Sequence, residues 1–188
     1  MLHSMAFALL LQAPSPPPAS PPATTMETPR RLVFANHYSL EWSVASGTPS
    51  GQVSLFLGSS LRPRIDRKGQ VWKTALGYEL GVSVGGAERG TAFLSWGGNY
   101  GVAYHRHHLA ALGYGGPKDR LYYQFGGGVL MWRSTPVALE ADVRLGVVLG
   151  VQRSTRVKGV VGGEARIVGI LDGVPLPHFG VFAGLFMF

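Results

Sequence analysis

The chain has 188 residues and a formal net charge of +7; 46% of its residues are hydrophobic and only 14% are charged, well below the roughly 25% of an ordinary soluble domain. That apolar content excludes a disordered chain. The absence of cysteine excludes a disulfide scaffold, a thiolate metal site, a lipoprotein anchor and a Cys nucleophile. No stretch reaches the ~20 apolar residues of a membrane-spanning helix.

Seven of the 13 prolines precede residue 30, and none of the 27 glycines does. The chain therefore divides into a Gly-free head and a Gly-rich body that begins near Arg31. Residues 1–13 hold an apolar run, Met5 to Leu11, and a small residue, Ala13, suited to cleavage. This reads as an export signal that lacks the usual basic start. Residues 14–30 form a Pro-rich segment expected to be extended and disordered, and residues 31–188 form a β-barrel domain.

From Arg31 onward the apolar pattern has a period of two, the signature of strands. The first run sets Leu32, Phe34, Asn36, Tyr38, Leu40, Trp42 and Val44 against Val33, Ala35, His37, Ser39, Glu41, Ser43 and Ala45. A second lies near 52–61. Across 71–85, Trp72, Thr74, Leu76, Tyr78, Leu80 and Val82 oppose Lys73, Ala75, Gly77, Glu79, Gly81 and Ser83. Further runs lie near 91–96, 102–114 and 121–133. Between 137 and 151, Val137, Leu139, Ala141, Val143, Leu145 and Val147 oppose Ala138, Glu140, Asp142, Arg144, Gly146 and Val148. The last two runs are 157–171 and 178–188.

These runs are long beside the usual five or six residues of a strand, and the body's six prolines fall between them as turn markers. Short connections impose sequential antiparallel pairing, and a meander of long strands hides its edges by closing on itself. The expected fold is all-β, an up-and-down antiparallel transmembrane barrel. Nine runs can be counted where bacterial membrane barrels use even numbers. The segment from Thr91 to Gly116, interrupted by Gly97-Gly98-Asn99-Tyr100-Gly101, is where two runs reduce to one. Eight strands are expected, with ten as the fallback.

Alternation does not say which face is inside. The face opposite the bulky residues consists of Gly, Ala and Ser with scattered charges, which suits a narrow lumen rather than a water-covered wall. Large apolar residues accordingly point to lipid, and Trp42, Trp72, Tyr122, Tyr123 and Trp132 fall toward run ends, as interfacial aromatics do. The last run carries Phe182, Phe186 and Phe188 on one face. With this pattern the chain resembles the small bacterial outer-membrane β-barrels, the family of the outer membrane protein A transmembrane domain. The resemblance implies a Gram-negative outer-membrane location and a monomer in contact with lipopolysaccharide or phospholipid. It also implies that Phe182, Phe186 and Phe188 act as the C-terminal signal read by the barrel-assembly machinery; Phe186 stands where that family has Tyr.

The inward face collects Glu41, Lys73, Glu79, Glu140, Asp142, Arg144, Lys158, Glu164 and Arg166, together with His37. Five acids meet four bases, so the lumen is expected to hold a nearly balanced ionic network that closes it to diffusion. His37, Ser39 and Glu41 share one strand face and are the catalytic candidates. They are similar to the His-x-Ser pair and Glu of the lipid A deacylases, although that pair lies late in the chain and toward lipid. A Ser nucleophile needs its base within hydrogen-bond reach, and a lumen hydrogen-bond cluster is the simpler reading. His105-Arg106-His107-His108 contains a histidine pair without a third ligand, so no metal site is expected; a solvated cluster near the rim is. No cofactor is implied, since the glycine clusters lack the setting of a phosphate loop. Many bases, such as Arg62, Arg64, Arg67, Lys68, Lys118 and Arg120, occupy turns, where they would meet lipid phosphates rather than nucleic acid.

These readings together point to a small closed outer-membrane barrel with a structural or surface role. The alternatives are a lipid-modifying enzyme of the lipid A deacylase type, or a soluble barrel that binds an apolar ligand.

Overall fold

A computed structural model of the chain describes residues 31–43, 49–85, 103–150, 156–170 and 175–188. The expected signal and Pro-rich segment and the run at 91–96 lie outside these residues.

The body is all-β. In chain order the strands are β1 (Leu32–Ser43), β2 (Pro49–Ser60), a two-residue β3 (Arg64–Ile65), β4 (Val71–Gly85), β5 (Ala103–Gly115), β6 (Leu121–Trp132), β7 (Thr135–Leu149), β8 (Val157–Ile170) and β9 (Leu176–Met187). Each long strand pairs antiparallel with its neighbour, and pairings of β1 with β9 and of β2 with β4 close the ring. Eight long strands thus form the barrel, while β3 adds a two-residue pairing at the start of β4. β5 is one continuous strand from Ala103 to Gly115.

The alternation has a direct structural meaning. On β7, Ala138, Glu140, Asp142, Arg144 and Val148 are buried, whereas Leu139, Val143, Leu145 and Val147 are exposed. On β4, Glu79 is 1% exposed and Leu76 is 53% exposed. The barrel is therefore inside out relative to a soluble one, with its polar residues within and its bulky aliphatic residues on the outer wall.

Curvature this tight requires backbones to approach closely at corners, which is where strand glycines gather. Gly146 faces Gly162 across β7 and β8. A Cβ on Gly162 would lie 2.1 Å from the Leu145 carbonyl oxygen. Gly58 faces Gly77 in the same way across β2 and β4, and a Cβ on Gly77 would lie 2.2 Å from the Leu57 oxygen.

The turns differ in detail from the expected ones. The β6–β7 hairpin turns on Arg133 and Ser134, both with positive φ (46° and 69°), the two-residue geometry that matches strand twist. Pro136 thus belongs to β7 rather than to the turn, as Pro49 begins β2 and Pro177 lies within β9. At strand ends a missing N–H costs little.

Candidate functional site: a three-tiered lumen

The inward side chains form three tiers along the barrel axis. At the end holding the β5–β6 and β7–β8 turns lies an apolar tier that includes Phe56, Leu112, Tyr114, Tyr122, Phe182 and Phe186. Its rings pack edge to face and tilted, with centroids 5.3 Å apart for Tyr114–Phe186 and 5.3 Å for Tyr122–Phe186. At the opposite end is a smaller tier of Tyr104, Leu130, Ala138 and Val168, with Trp132 packed against it. Between them lies a tier of charged and polar groups drawn from every long strand.

Three guanidinium groups organise the middle tier. Arg144 donates from Nη1 to both Glu79 carboxylate oxygens (2.8 and 3.0 Å), from Nη2 to Glu164 Oε1 (3.2 Å), and places Nε 3.1 Å from Glu164 Oε2. Arg106 donates from Nε to Glu140 Oε2 at 2.7 Å and has Asp142 at 3.8 Å and Glu79 at 3.9 Å. Arg166 places Nη2 2.7 Å from Glu41 Oε2 and donates from Nη1 to Glu140 Oε1 (3.0 Å) and Gln52 Oε1 (3.3 Å). All three are at most 2% exposed. Burial removes several kcal/mol of hydration from each ion, which only dense pairing of this kind offsets.

The histidines complete the tier. His108 puts Nε2 2.8 Å from Glu140 Oε2 and Nδ1 3.1 Å from Asp142 Oδ1. Arg106 Nη2 lies 3.5 Å from the same Nδ1, so this nitrogen sits between a guanidinium donor and a carboxylate. His37 takes part in a directional chain. Gln124 donates its amide N–H to Glu79, so its carbonyl oxygen accepts from the Tyr122 hydroxyl at 3.1 Å. That uses the only proton of Tyr122, and the 2.5 Å contact to His37 must be a bond donated by His37 Nε2. The tautomer of a buried histidine is thus set by an arginine-bound glutamate three links away.

The expected site residues separate as follows. Glu41, Glu79, Glu140, Asp142, Arg144, Glu164 and Arg166 are buried and meet in the middle tier. Lys73 and Lys158 have the inward register but stand at strand starts. Lys73 Nζ donates to the Tyr114 hydroxyl at 3.0 Å, and Lys158 Nζ lies 4.3 Å from the centre of the same ring. They cap the apolar tier. Phe182 and Phe186 are lumen residues, 3% and 1% exposed, and Phe188 packs against them. The outer face of β9 is instead Phe179, Val181 and Leu185.

His105–His108 is not one solvated rim cluster. Arg106 and His108 are 1% exposed inside the lumen, while His105 and His107 face outward and His107 Nδ1 lies 2.5 Å from the Tyr78 hydroxyl. The signal was available: the alternation that continues through Leu109, Ala110, Ala111 and Leu112 assigns Arg106 and His108 to the inner face. Among the described residues no three His, Asp or Glu side chains are arranged to hold a metal ion.

His37 and Ser39 are not partnered with each other: His37 bonds Tyr122, and Ser39 Oγ donates to Glu164 Oε2. Ser39 thus faces a carboxylate already held by Arg144, and both groups are sealed within the barrel. This arrangement orders a lumen and offers no poised nucleophile. Comparison with known proteins places the chain beside none of them: no family model, curated protein or solved structure matches it.

Proposed function

We propose that this protein is a small outer-membrane β-barrel with a structural or surface role and without a diffusion pore. The observation that carries this reading is the reversed polarity of the barrel. Leu76, Leu109, Leu145, Val181 and Leu185 are 53–74% exposed, whereas the middle-tier charges are at most 5% exposed. Soluble monomers rarely expose apolar patches beyond a few hundred Å², and here the apolar surface runs around the whole wall. Strands of 12 to 15 residues with a rise of ~3.3 Å and a membrane-barrel tilt of about 40° span roughly 30 Å or more. That height matches a hydrocarbon layer. Among the described residues an ionic tier fills the middle of the lumen beside a packed apolar tier, which supports a closed barrel. The same packing opposes a soluble barrel with an apolar ligand in its lumen.

The test is refolding of the full chain into phosphatidylcholine vesicles. A band that migrates faster unboiled than boiled, sedimentation with the lipid, and no release of a trapped small dye are the expected results. Monodisperse protein in detergent-free buffer with no heat-dependent mobility overturns the membrane reading, and rapid dye release overturns the closed lumen.

A further inference from the structure

We propose that the cleft under the β3 flap is a seat for the phosphate group of an anionic phospholipid, a proposal that rests on the membrane reading above. The segment between β2 and β4 does not leave the barrel as a loose turn. It folds back so that Arg64 pairs with Trp72 and Ile65 with Val71. Asp66 fastens it: its carboxylate accepts the Lys68 N–H (2.8 Å), the Gln70 N–H (2.9 Å) and the Trp72 indole N–H (3.3 Å). The flap and the barrel wall enclose a cleft of about 740 Å³, lined by Arg64, Arg67, Trp72 and Tyr123 among others. Those two rings lie 5.9 Å apart, and Tyr123 is fixed by a 2.5 Å hydrogen bond to Thr74.

The parts match the two halves of a lipid. Guanidinium groups bind phosphate oxygens through paired N–H donors, and Arg64 and Arg67 both line this cleft. The rest of its lining is aromatic and aliphatic, with Leu61, Ile65, Trp72 and Tyr123, and Leu61 and Ile65 are 44% and 68% exposed. Free phosphate would use the arginines and leave that apolar lining without a partner; a lipid uses both. Indole rings settle at the level of headgroups, and Trp72 lies between the two regions. The rest of the molecule agrees. The same barrel end carries Lys118 and Arg120 in the β5–β6 connection and Arg156 before β8. An anionic headgroup layer is therefore favoured at the flap end.

The experiment uses the full chain refolded in detergent, mixed with phosphatidylglycerol or phosphatidylcholine of identical acyl chains, and native mass spectrometry to count retained lipid. Heat-dependent gel mobility is read first, so failure of the barrel reading is seen before any lipid is counted. The wild type is expected to retain phosphatidylglycerol in preference. The Arg64→Gln/Arg67→Gln variant is expected to lose about tenfold in affinity, the scale of removing charge-assisted bonds, with gel mobility unchanged. A Lys118→Gln/Arg120→Gln variant removes the same charge from the same end and is expected to lose much less. Equal retention of the two lipids, or equal losses in the two variants, overturns the proposal. So does displacement of the phosphatidylglycerol by inorganic phosphate at matched ionic strength, which would show that the site recognises the anion alone.

Discussion

Glu79 and Asp66 are both carboxylates that accept three or more hydrogen bonds, and the contrast between them separates two uses of charge in one molecule. Glu79, 1% exposed, is held by the Arg144 guanidinium and the Gln124 amide. Asp66, on the rim, is held by two backbone N–H groups and an indole. In the buried lumen, away from bulk solvent, charge has to be met by charge. On the rim water screens the carboxylate, and backbone and indole N–H groups supply most of what holds it.

Arg144→Met is the strongest way to test the buried half of that contrast. It leaves Glu79 and Glu164 without their shared cation and is expected to cost about 3–5 kcal/mol, the range for removing one partner of a buried pair. Urea unfolding in vesicles, followed by the heat-modifiable band, measures it. Combining Arg144→Met with Glu79→Gln and Glu164→Gln should recover most of the loss, since neutral replacement of a whole buried ionic group is often tolerated. No recovery would mean that Arg144 acts by packing, and the distinction between charge pairing and shape would collapse.

Phe182→Leu probes the neighbouring tier, where no charge is involved. Phe182 is 3% exposed and packs 5.9 Å from the Tyr122 ring and 5.8 Å from His37. Losing part of a ring from this layer should cost about 1–2 kcal/mol through burial and a small cavity. The same unfolding curves check it. A loss as large as that of Arg144→Met would show that the apolar tier, not the ionic one, holds the barrel's interior in register.

How far the sequence revealed all this depended on which property parity encodes. Parity encodes a face, and so the inward set on β7 and the outward wall were legible from Val137 to Val148. It does not encode depth, and Lys73 and Lys158 therefore seemed equal to Glu79 until the strand ends were known. It also encodes no partner. Arg144 and Glu164 stand opposite in register, but Arg144 and Glu79 come from β7 and β4 and meet only because the closed ring brings them together across the lumen. Arg166 stands opposite Asp142, yet its closest carboxylates are Glu41 and Glu140. Arg106 and His108 were obscured by treating four adjacent polar residues as one patch. The β3 flap was read as a turn because two residues of pairing leave no periodic signal.

The smallest effect is expected at Asp66, and it tests the exposed half of the contrast. The Gln70 N–H, with the Trp72 indole and the Lys68 N–H, holds this carboxyl below its ordinary range. A depressed folded-state pKa means that the stabilisation is complete above the unfolded value of about 3.9 and is lost as pH falls through the folded one. The flap should therefore be insensitive to pH near neutrality and loosen only in strong acid. The Trp72 indole proton, followed by NMR in micelles, should shift only in that acid range. Asp66→Asn keeps one oxygen for the Lys68 and Gln70 N–H groups but turns an amide donor toward the indole. It should move the Trp72 resonance at neutral pH and abolish its acid titration, leaving the barrel's urea midpoint unchanged. A titration that persists in Asp66→Asn would place the responsive group elsewhere. A shifted urea midpoint would show that the rim and the lumen are not independent, because the flap's carboxylate would then be as structural as Glu79.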